Sequence, residues 1–396
     1  MPHEGALGCE PRAILATRAH LWIAAGVDAR ALGREFASVA APAGTEVWVS
    51  HFSARAARSV TEAAARRAEG DRAAARRAYR DAAFWFFLAR FPVPQSAAAR
   101  EAYLRSLDMV RSAASLENPA LRVVGARHGD GEVVGHLRLP AQANGRAPLI
   151  VLIGSAETYK ADVELAHLAD AFHAAGAATL AVDSPGTGES TVAARPGAET
   201  AYEALLRQIE DGPSAHHLDT SAIGVVGVSF GAHWSLRLAA GVPHVAAAVT
   251  INAPLHHAFA PDKLAALSPP ARDAVSSALR VPPEDVLGLQ RRLAELSLLA
   301  GSSGNLLLSG RPKRILALAG GHTEFVLGSD DVLLMDVGWP ADLLLYESSR
   351  YGKTTWIEYT PTIVTWLLRR LDECRRHRLT TPRPRRSAGE AVRSRP

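Results

Sequence analysis

Residues 224–234 read Gly224-Val-Val-Gly-Val-Ser-Phe-Gly-Ala-His-Trp234 and contain the pattern Gly-x-Ser-x-Gly, with Ser229 at its centre. A β-branched run precedes the pattern, and an apolar helical run follows it. The order strand, tight turn, helix is the context in which this pattern forms a nucleophile elbow. Glycines allow the strand and the helix to approach closely around a strained serine, and the first helical amide points at that serine. We therefore predict a nucleophilic Ser229, with the Phe230 amide available to an oxyanion.

The strand of this elbow belongs to a series of strands and helices that alternate along the chain. Two alternating segments on either side of His128-Gly-Asp-Gly131 predict a β-hairpin, and the later strands are continuously apolar, as buried parallel strands are. The series predicts an α/β fold, with a mostly parallel eight-stranded sheet and helices on both faces. The loops at the carboxyl ends of its strands should converge on one site. The predicted strands are 121–127, 132–139, 148–154, 177–183, 221–226, 245–251, 314–319 and 341–346.

The pattern also divides the chain into domains. An Ala-rich helical region with an aromatic cluster at 84–87 precedes the sheet, and we interpret the cluster as core packing, with the floor of a pocket as the alternative. The helical region and a helical insertion should both cover the carboxyl end of the sheet and enclose an apolar cleft. The predicted parts are a segment of uncertain order (1–45), a helical domain (46–120), a catalytic domain (121–371) with the helical insertion (254–308), and a basic disordered tail (372–396).

Composition excludes several classes of protein. The 396 residues are 48% hydrophobic, enough for a sizeable core, but no apolar run is long enough to predict a membrane span. The net charge is +4, yet residues 369–396 alone carry ten arginines against three acids. Because the positive charge lies in the tail rather than on a folded face, we expect no nucleic-acid partner. Cys9 and Cys374 are the only cysteines, so we expect no disulfide framework and a cytoplasmic protein.

Four further stretches accompany the elbow, and together they resemble a known family. With the elbow they are similar to the branch of the α/β-hydrolase superfamily that contains 2,6-dihydroxypseudooxynicotine hydrolase, a fungal heptaketide-shortening pigment hydrolase and the FrsA-like esterases. The resemblance covers roughly residues 45–371 and implies an α/β-hydrolase fold with an N-terminal helical domain and a small-molecule substrate. The stretches are Arg77-Ala-Tyr-Arg-Asp-Ala-Ala-Phe-Trp-Phe-Phe87, Gly135-His-Leu-Arg-Leu-Pro140, Gly154-Ser-Ala-Glu-Thr-Tyr-Lys160 and Asp183-Ser-Pro-Gly-Thr-Gly-Glu-Ser190.

The Gly154–Lys160 stretch supplies two candidate site residues by this resemblance. Ala156 would provide the second oxyanion amide, and Glu157 matches an acidic position that acts beside the nucleophile in a carbon–carbon-cleaving member. Such a carboxylate could move a proton on a substrate hydroxyl or ketone. The alternative is a loop glutamate that pairs with Lys160 or caps a helix. Lys160 is itself a candidate substrate-binding residue. Asp183 is expected to be structural, bonding local amides of a turn.

The acid of a catalytic triad should follow the strand at 314–319. The resemblance places that position on Thr323 or Glu324, and Glu324 is the better chemical fit. Asp330 and Asp331 follow in the same connection and remain alternatives.

The histidine of a triad is missing from its usual place. The resemblance places the family histidine on Arg350 or Tyr351, and no histidine follows the strand at 341–346 before the last helix. His322 could replace it as the base, Tyr351 is a second candidate, and Arg350 is a candidate substrate-binding residue. His233, one turn into the elbow helix, is expected to be packed rather than catalytic.

Three functional hypotheses remain open because a serine hydroxyl is a poor nucleophile without a base. The first is a hydrolase of carbon–carbon or ester bonds beside a ketone, acting on a carbonyl-rich aromatic or polyketide-like molecule. The second is a lyase, cyclase or dehydratase that uses Ser229, the oxyanion amides and Glu157. The third is a catalytically inactive binding protein, which the intact elbow argues against. We expect no cofactor and no metal site, because the paired histidines lack acids at metal-ligand spacing, and we leave a homodimer open.

Overall fold

The computed structural model describes residues 10–142, 145–299, 306–320, 330–346 and 355–380. Eight strands form one sheet in the order β1-β2-β4-β3-β5-β6-β7-β8. Of these, β2 pairs antiparallel with both β1 and β4, and all other pairs are parallel. The predicted α/β sheet and its opening hairpin are therefore confirmed. The strands are β1 (Arg122–His128), β2 (Gly131–Arg138), β3 (Ala147–Ile153), β4 (Ala178–Val182), β5 (Leu218–Val228), β6 (Val245–Ile251), β7 (Arg314–Gly320) and β8 (Ala341–Tyr346).

Helices cover both faces of the sheet, which is why its central strands are continuously apolar. Leu205 of α7 and Trp234 of α8 lie in the core of one face, and Leu168 of α6 and Leu367 of α14 lie in the core of the other. The helices are α1 (Pro11–Ala24), α2 (Ala29–Ser38), α3 (Glu46–Ala68), α4 (Arg72–Arg90), α5 (Ala97–Ser115), α6 (Val163–Ala174), α7 (Thr200–Glu210), α8 (Phe230–Gly241), α9 (Pro261–Ala265), α10 (Pro269–Leu279), α11 (Val286–Leu296), α12 (Leu306–Ser309), α13 (Leu333–Asp336) and α14 (Thr360–Thr380).

The N-terminal helices pack around an aromatic core. All four residues of the 84–87 cluster are buried, which confirms the packing interpretation. Trp22 of α1 makes edge-to-face contacts with Phe84 and Phe87, with ring centroids 5.7 and 5.8 Å apart. Residues 11–38, whose order the sequence left uncertain, thus form two helices, and α1 is anchored to α4.

The last helix is longer than the sequence indicated. The catalytic domain was expected to end at 371, but α14 continues to Thr380. Two of its arginines pair with acids of the sheet: Arg370 lies 3.5 Å from Asp342, and Arg375 lies 2.6 Å from Asp219. The second of these pairs ties the first residues of the predicted tail to the sheet. None of the described helices has the length and apolarity that a bilayer span requires.

The helical domain and the insertion both reach loops at the carboxyl end of the sheet. Arg18 of α1 and Arg90 of α4 contact Glu157, in the loop that follows β3. On the insertion, the Ala278 carbonyl of α10 packs so closely on Gly186, in the loop after β4, that a Cβ there would lie 1.9 Å from the oxygen. Both segments therefore border the loops that the sequence placed around Ser229.

Candidate active site

Ser229 lies at the junction of β5 and α8 in a backbone conformation that is rare for residues other than glycine. Its φ is 52° and its ψ is −117°. Its amide donates to the Ile251 carbonyl at the end of β6, at 2.7 Å. A serine with positive φ costs conformational energy, and such outliers cluster at active sites. The turn thus has the strained geometry that the sequence pattern predicted.

The two glycines of the pattern are required by close backbone contacts. A Cβ at Gly227 would lie 2.2 Å from the Gly231 carbonyl oxygen. A Cβ at Gly231 would lie 2.3 Å from the carbonyl oxygens of both Ile153 and Gly154. Since real Cβ contacts are never this short, only glycine fits at either position. The second contact also places the loop after β3 directly against the first turn of α8.

That loop is shaped by its own hydroxyl groups. The Ser155 hydroxyl accepts from the amides of Glu157 and Thr158, at 3.2 and 2.9 Å. Ser184 donates to the Gly154 carbonyl at 2.6 Å. No acceptor for the Ala156 amide lies among the described residues. Phe230, as the first residue of α8, has an amide outside the hydrogen-bond ladder of the helix, so both predicted oxyanion amides remain candidates.

The Ser229 hydroxyl is buried and has no hydrogen-bond partner among the described residues. The part of the chain that the structure describes therefore supplies no base in contact with it. Four predicted site residues, Glu324, His322, Tyr351 and Arg350, lie outside the described residues, in 321–329 and 347–354. In the sequence these stretches follow β7 and β8, and they contain the base and the acid that the sequence predicts.

Glu157 is buried and paired with an arginine that the sequence analysis did not consider. Its Oε1 accepts from Nη2 of Arg18 at 2.8 Å, and its carbonyl accepts from Nη1 of Arg90 at 2.8 Å. Both arginines come from the N-terminal helices. The alternative pairing of Glu157 with Lys160 is therefore wrong, because a different cation occupies the carboxylate.

Lys160 is held in a separate buried network. Its ammonium binds the Asp183 carboxylate and lies 2.8 Å from Oε2 of Glu189, and its side chain has no exposed surface. Asp183 also accepts from the Lys160 and Glu189 amides at 2.8 and 2.9 Å. The structure confirms the structural interpretation of Asp183. Two carboxylates use the donors of Lys160 inside the protein, and its substrate-binding role stays a prediction.

Two more buried acids flank Glu157, and the sequence analysis missed both. Burial raises the pKa of Glu164, although Arg18 and a 2.7 Å hydrogen bond from Thr158 oppose the rise. Burial likewise raises the pKa of Asp162 to about 7, against the opposing charge of Arg90. These acids and arginines form a charged layer between the helical domain and the loop after β3.

His233 is a packed histidine with a fixed tautomer. Its Nε2 accepts from Nε of Arg237 at 2.8 Å, so the proton lies on Nδ1, which is 3.1 Å from the Pro254 carbonyl. Burial, with the Arg237 charge, holds its pKa well below the ordinary value. Both ring nitrogens are thereby used, which agrees with the expectation that His233 is not the base.

The alternative triad acids brace the loop after β6. Asp330 accepts from the amides of His256 and His257 at 2.7 and 2.6 Å. Asp331 accepts from the Thr250 hydroxyl and the Ala253 amide at 2.7 and 2.8 Å. Both carboxylates thus fix the backbone of that loop, and the choice of the triad acid among Glu324, Asp330 and Asp331 stays a prediction.

Asn252 joins the carboxyl ends of three strands, and the sequence analysis did not identify it. It follows β6 with φ 55°, accepts from the Gly320 amide at 2.8 Å and donates to the Tyr346 hydroxyl at 2.7 Å. Burial raises the pKa of Tyr346 to about 12, so its hydroxyl stays neutral. The contact holds β6, β7 and β8 in register beside the elbow.

Comparison with known proteins decides the family. A family model described as esterase FrsA-like matches residues 38–329. The chain belongs to the FrsA-like esterase family. A search of curated proteins finds no significant match. From the family match and the described fold, the FrsA-like chain has the α/β-hydrolase fold with an N-terminal helical region. By family it is a hydrolase-type protein.

Solved structures agree with this fold. The crystal structure of 2,6-dihydroxy-pseudo-oxynicotine hydrolase matches with a TM-score of 0.73 and 19% identity, over 90% of this chain and 97% of that one. Wild-type AbyA5 matches with a TM-score of 0.67 and 20% identity, over 91% and 96% of the two chains. At these identities the likeness shows the fold alone. Within the described residues of this FrsA-like chain, no group of three His, Cys, Asp or Glu side chains could hold a metal ion.

Proposed function

We propose that the protein is a serine hydrolase that cleaves an ester or a carbon–carbon bond beside a ketone in a carbonyl-rich aromatic or polyketide-like molecule. The observation that carries the proposal is the strained, buried Ser229 with its glycine-framed turn packed on the loop of Ala156 and Glu157. Membership of an esterase family supports the reaction class.

In the proposed reaction, Ser229 attacks the carbonyl carbon while a base takes its proton. His322 is the proposed base, Glu324 its acid and Tyr351 the second candidate for the base. The amides of Ala156 and Phe230 hold the developing oxyanion. The ester or carbon–carbon bond then breaks, and the protonated base gives its proton to the leaving oxygen or carbon. The base next takes a proton from water, which attacks the acyl-serine, and returns that proton to Ser229 as the acid is released.

Glu157 has a separate role in this proposal. A β-diketone exists largely as its enol, whose hydroxyl proton must leave the oxygen before the carbonyl is attacked. The Glu157 carboxylate accepts that proton and delivers it to the α-carbon, which restores the ketone that Ser229 attacks. When the carbon–carbon bond breaks, the α-carbon takes a second proton, the one that the base removed from Ser229. Its burial supports this role, because a carboxylate sheltered from water can exchange a proton with substrate alone.

A second candidate, a lyase or cyclase on the same scaffold, is favoured by one observation. The Ser229 hydroxyl has no base among the described residues, and the family histidine position is not a histidine in this sequence. Ser229 would then donate a hydrogen bond to a substrate carbonyl, and Glu157 would move the proton.

Isotope incorporation separates the two candidates. Benzoylacetone and p-nitrophenyl acetate are incubated with the protein in ¹⁸O-labelled water, with Ser229→Ala as the matched control. Hydrolysis puts one ¹⁸O into the released carboxylic acid, which is acetate from the ester and acetate or benzoate from benzoylacetone. Ser229→Ala abolishes the enzymatic formation of that acid. Products without ¹⁸O in an acid favour the second candidate, and equal turnover by Ser229→Ala overturns both.

A further inference from the structure

Arg18 is the one side chain seen to bind the Glu157 carboxylate among the described residues, and it comes from a helix 139 positions away. Arg18 is 8% exposed and Glu157 is 3% exposed. A guanidinium keeps its charge at every working pH, and a desolvated pair of this kind is stronger than a surface one. The pair therefore fixes the direction of the carboxylate.

Arg18 is itself held in place by its helix. Ile14, Arg18 and Trp22 follow one another at helical spacing along the buried side of α1. Trp22 is locked among Phe84, Phe87 and Phe91, with ring centroids 5.7 to 6.1 Å away. The guanidinium consequently approaches Glu157 from a rigid support.

The backbone of Glu157 is fixed by a different residue. Arg90 donates to the Glu157 carbonyl and binds the Asp162 carboxylate, so it holds the loop rather than the side chain. Glu164 is a second buried acid, near enough to interact electrostatically with Glu157, and Arg18 lowers its pKa against the effect of burial. Without Arg18, no cation among the described residues would bind the Glu157 carboxylate, and the charge of Glu164 would remain nearby.

We propose that Arg18 is the positioning residue of this site, holding Glu157 as an oriented carboxylate that accepts a proton before it donates one. The inference rests on the proposed function of Glu157. It adds the residue that orients the Glu157 carboxylate before the substrate proton is transferred. It makes the N-terminal helix α1 part of the catalytic apparatus, although α1 supplies no group that touches substrate.

The test uses the full chain with benzoylacetone as the probe, and Arg18→Met, which keeps the length of the side chain but removes its charge. We expect kcat to fall about 100-fold, as misplaced catalytic groups typically cause, with KM changed less than about threefold because the substrate contacts remain. Arg18→Lys retains a cation and should recover about tenfold of the lost kcat. Recovery is incomplete because lysine lacks the planar fork of arginine. Arg55→Met is the matched control, since Arg55 pairs with Asp81 in the same helical domain and does not contact Glu157.

A fluorophosphonate probe gives a second readout, because it reports Ser229 without needing Glu157. Arg18→Met should label at the wild-type rate, whereas general damage to the site would slow labelling and turnover together. The double variant Arg18→Met/Glu157→Gln should be no slower than Glu157→Gln alone. If Arg18→Met fails to fold, Arg18→Lys is compared with Arg55→Lys, and equal kcat values overturn the inference.

Failure of the inference and failure of the proposed function give different results. If Glu157→Gln lowers kcat and Arg18→Met does not, Arg18 has no positioning role and the proposed function stands. If Glu157→Gln has the kcat of the wild type, Glu157 does not have its proposed role, and the inference about Arg18 fails with it. Additive losses in the double variant show that Arg18 acts independently of Glu157 and contradict the inference.

Discussion

Gly154, at the end of β3, and Gly231, in the first turn of α8, are in direct backbone contact: a Cβ at Gly231 would lie 2.3 Å from the Gly154 carbonyl oxygen. This contact locks the two loops that carry the proposed oxyanion amides into one rigid unit. The geometry of the site therefore depends on a position that has no side chain and performs no chemistry.

The first prediction follows from this contact. Gly231→Ala should lower the free energy of unfolding by about 3 kcal/mol or more, because two carbonyl groups must move. Gly33→Ala is the control, since Gly33 lies in α2 with nothing within 4 Å of a new Cβ. It should raise stability by about 1 kcal/mol, as alanine is the better helix former. Thermal unfolding of both variants checks the prediction, and equal melting temperatures would contradict it.

The second prediction concerns the strain at Ser229. Ser229→Gly should stabilise the protein by about 1 kcal/mol relative to Ser229→Ala, because glycine adopts a positive φ without cost. Both variants should be inactive, since both lack the hydroxyl. Denaturant unfolding measures the difference. A glycine variant that is less stable than the alanine variant would show that the turn is not strained.

The third prediction isolates the carboxylate of Glu157. Glu157→Gln keeps the shape of the side chain but removes the titrating proton, and should slow turnover of benzoylacetone about 100-fold or more. Glu189→Gln is the matched control, because Glu189 pairs with Lys160 and Arg111 in the neighbouring network. It should leave kcat within about threefold of wild type. A loss under threefold in Glu157→Gln would reduce Glu157 to a loop residue.

The fourth prediction concerns acid lability. Burial and the nearby Arg138 lower the pKa of His173 to about 4, whereas an unfolded chain has an ordinary histidine. As the pH falls through about 6.5 the unfolded state takes up the proton first, so stability is lost between about pH 6.5 and 4. The wild type should lose about 2 kcal/mol relative to His173→Asn across this window.

Denaturant unfolding at pH 7.0 and 4.5 measures that difference. His217→Asn is the control, because it makes the same substitution at an exposed histidine. A difference between wild type and His173→Asn that stays constant with pH would show that His173 titrates alike in the folded and unfolded chains.

Most of the sheet could be predicted from the sequence, because buried strands and helices leave local periodic patterns. The elbow could also be predicted, since its strand, serine, glycines and helix are contiguous. Helix α1 could not be predicted from the sequence. Arg18 occupies a position on its buried side, between Ile14 and Trp22, and so interrupts the apolar periodicity. A charged residue within an otherwise apolar stretch was the available signal.

The pairing of the site residues could not be predicted for a related reason. Arg18 and Glu157 meet only after the helical domain packs on the sheet, and nothing local to either residue indicates the other. Asn252 was missed because its role depends on positive φ and on the Tyr346 hydroxyl, 94 positions away. Functional residues of this kind break local patterns and are supported by contacts distant in sequence.

The most direct test of the central claim is whether Ser229 is an activated nucleophile. The wild type, Ser229→Ala and His322→Ala are treated with a fluorophosphonate probe, and the labelled residue is identified by peptide mass spectrometry. We expect fast labelling at Ser229 in the wild type and none in Ser229→Ala. In His322→Ala, labelling should be slower by about three orders of magnitude, as loss of a triad base causes. Weak labelling of the wild type that His322→Ala leaves unchanged would contradict the hydrolase mechanism.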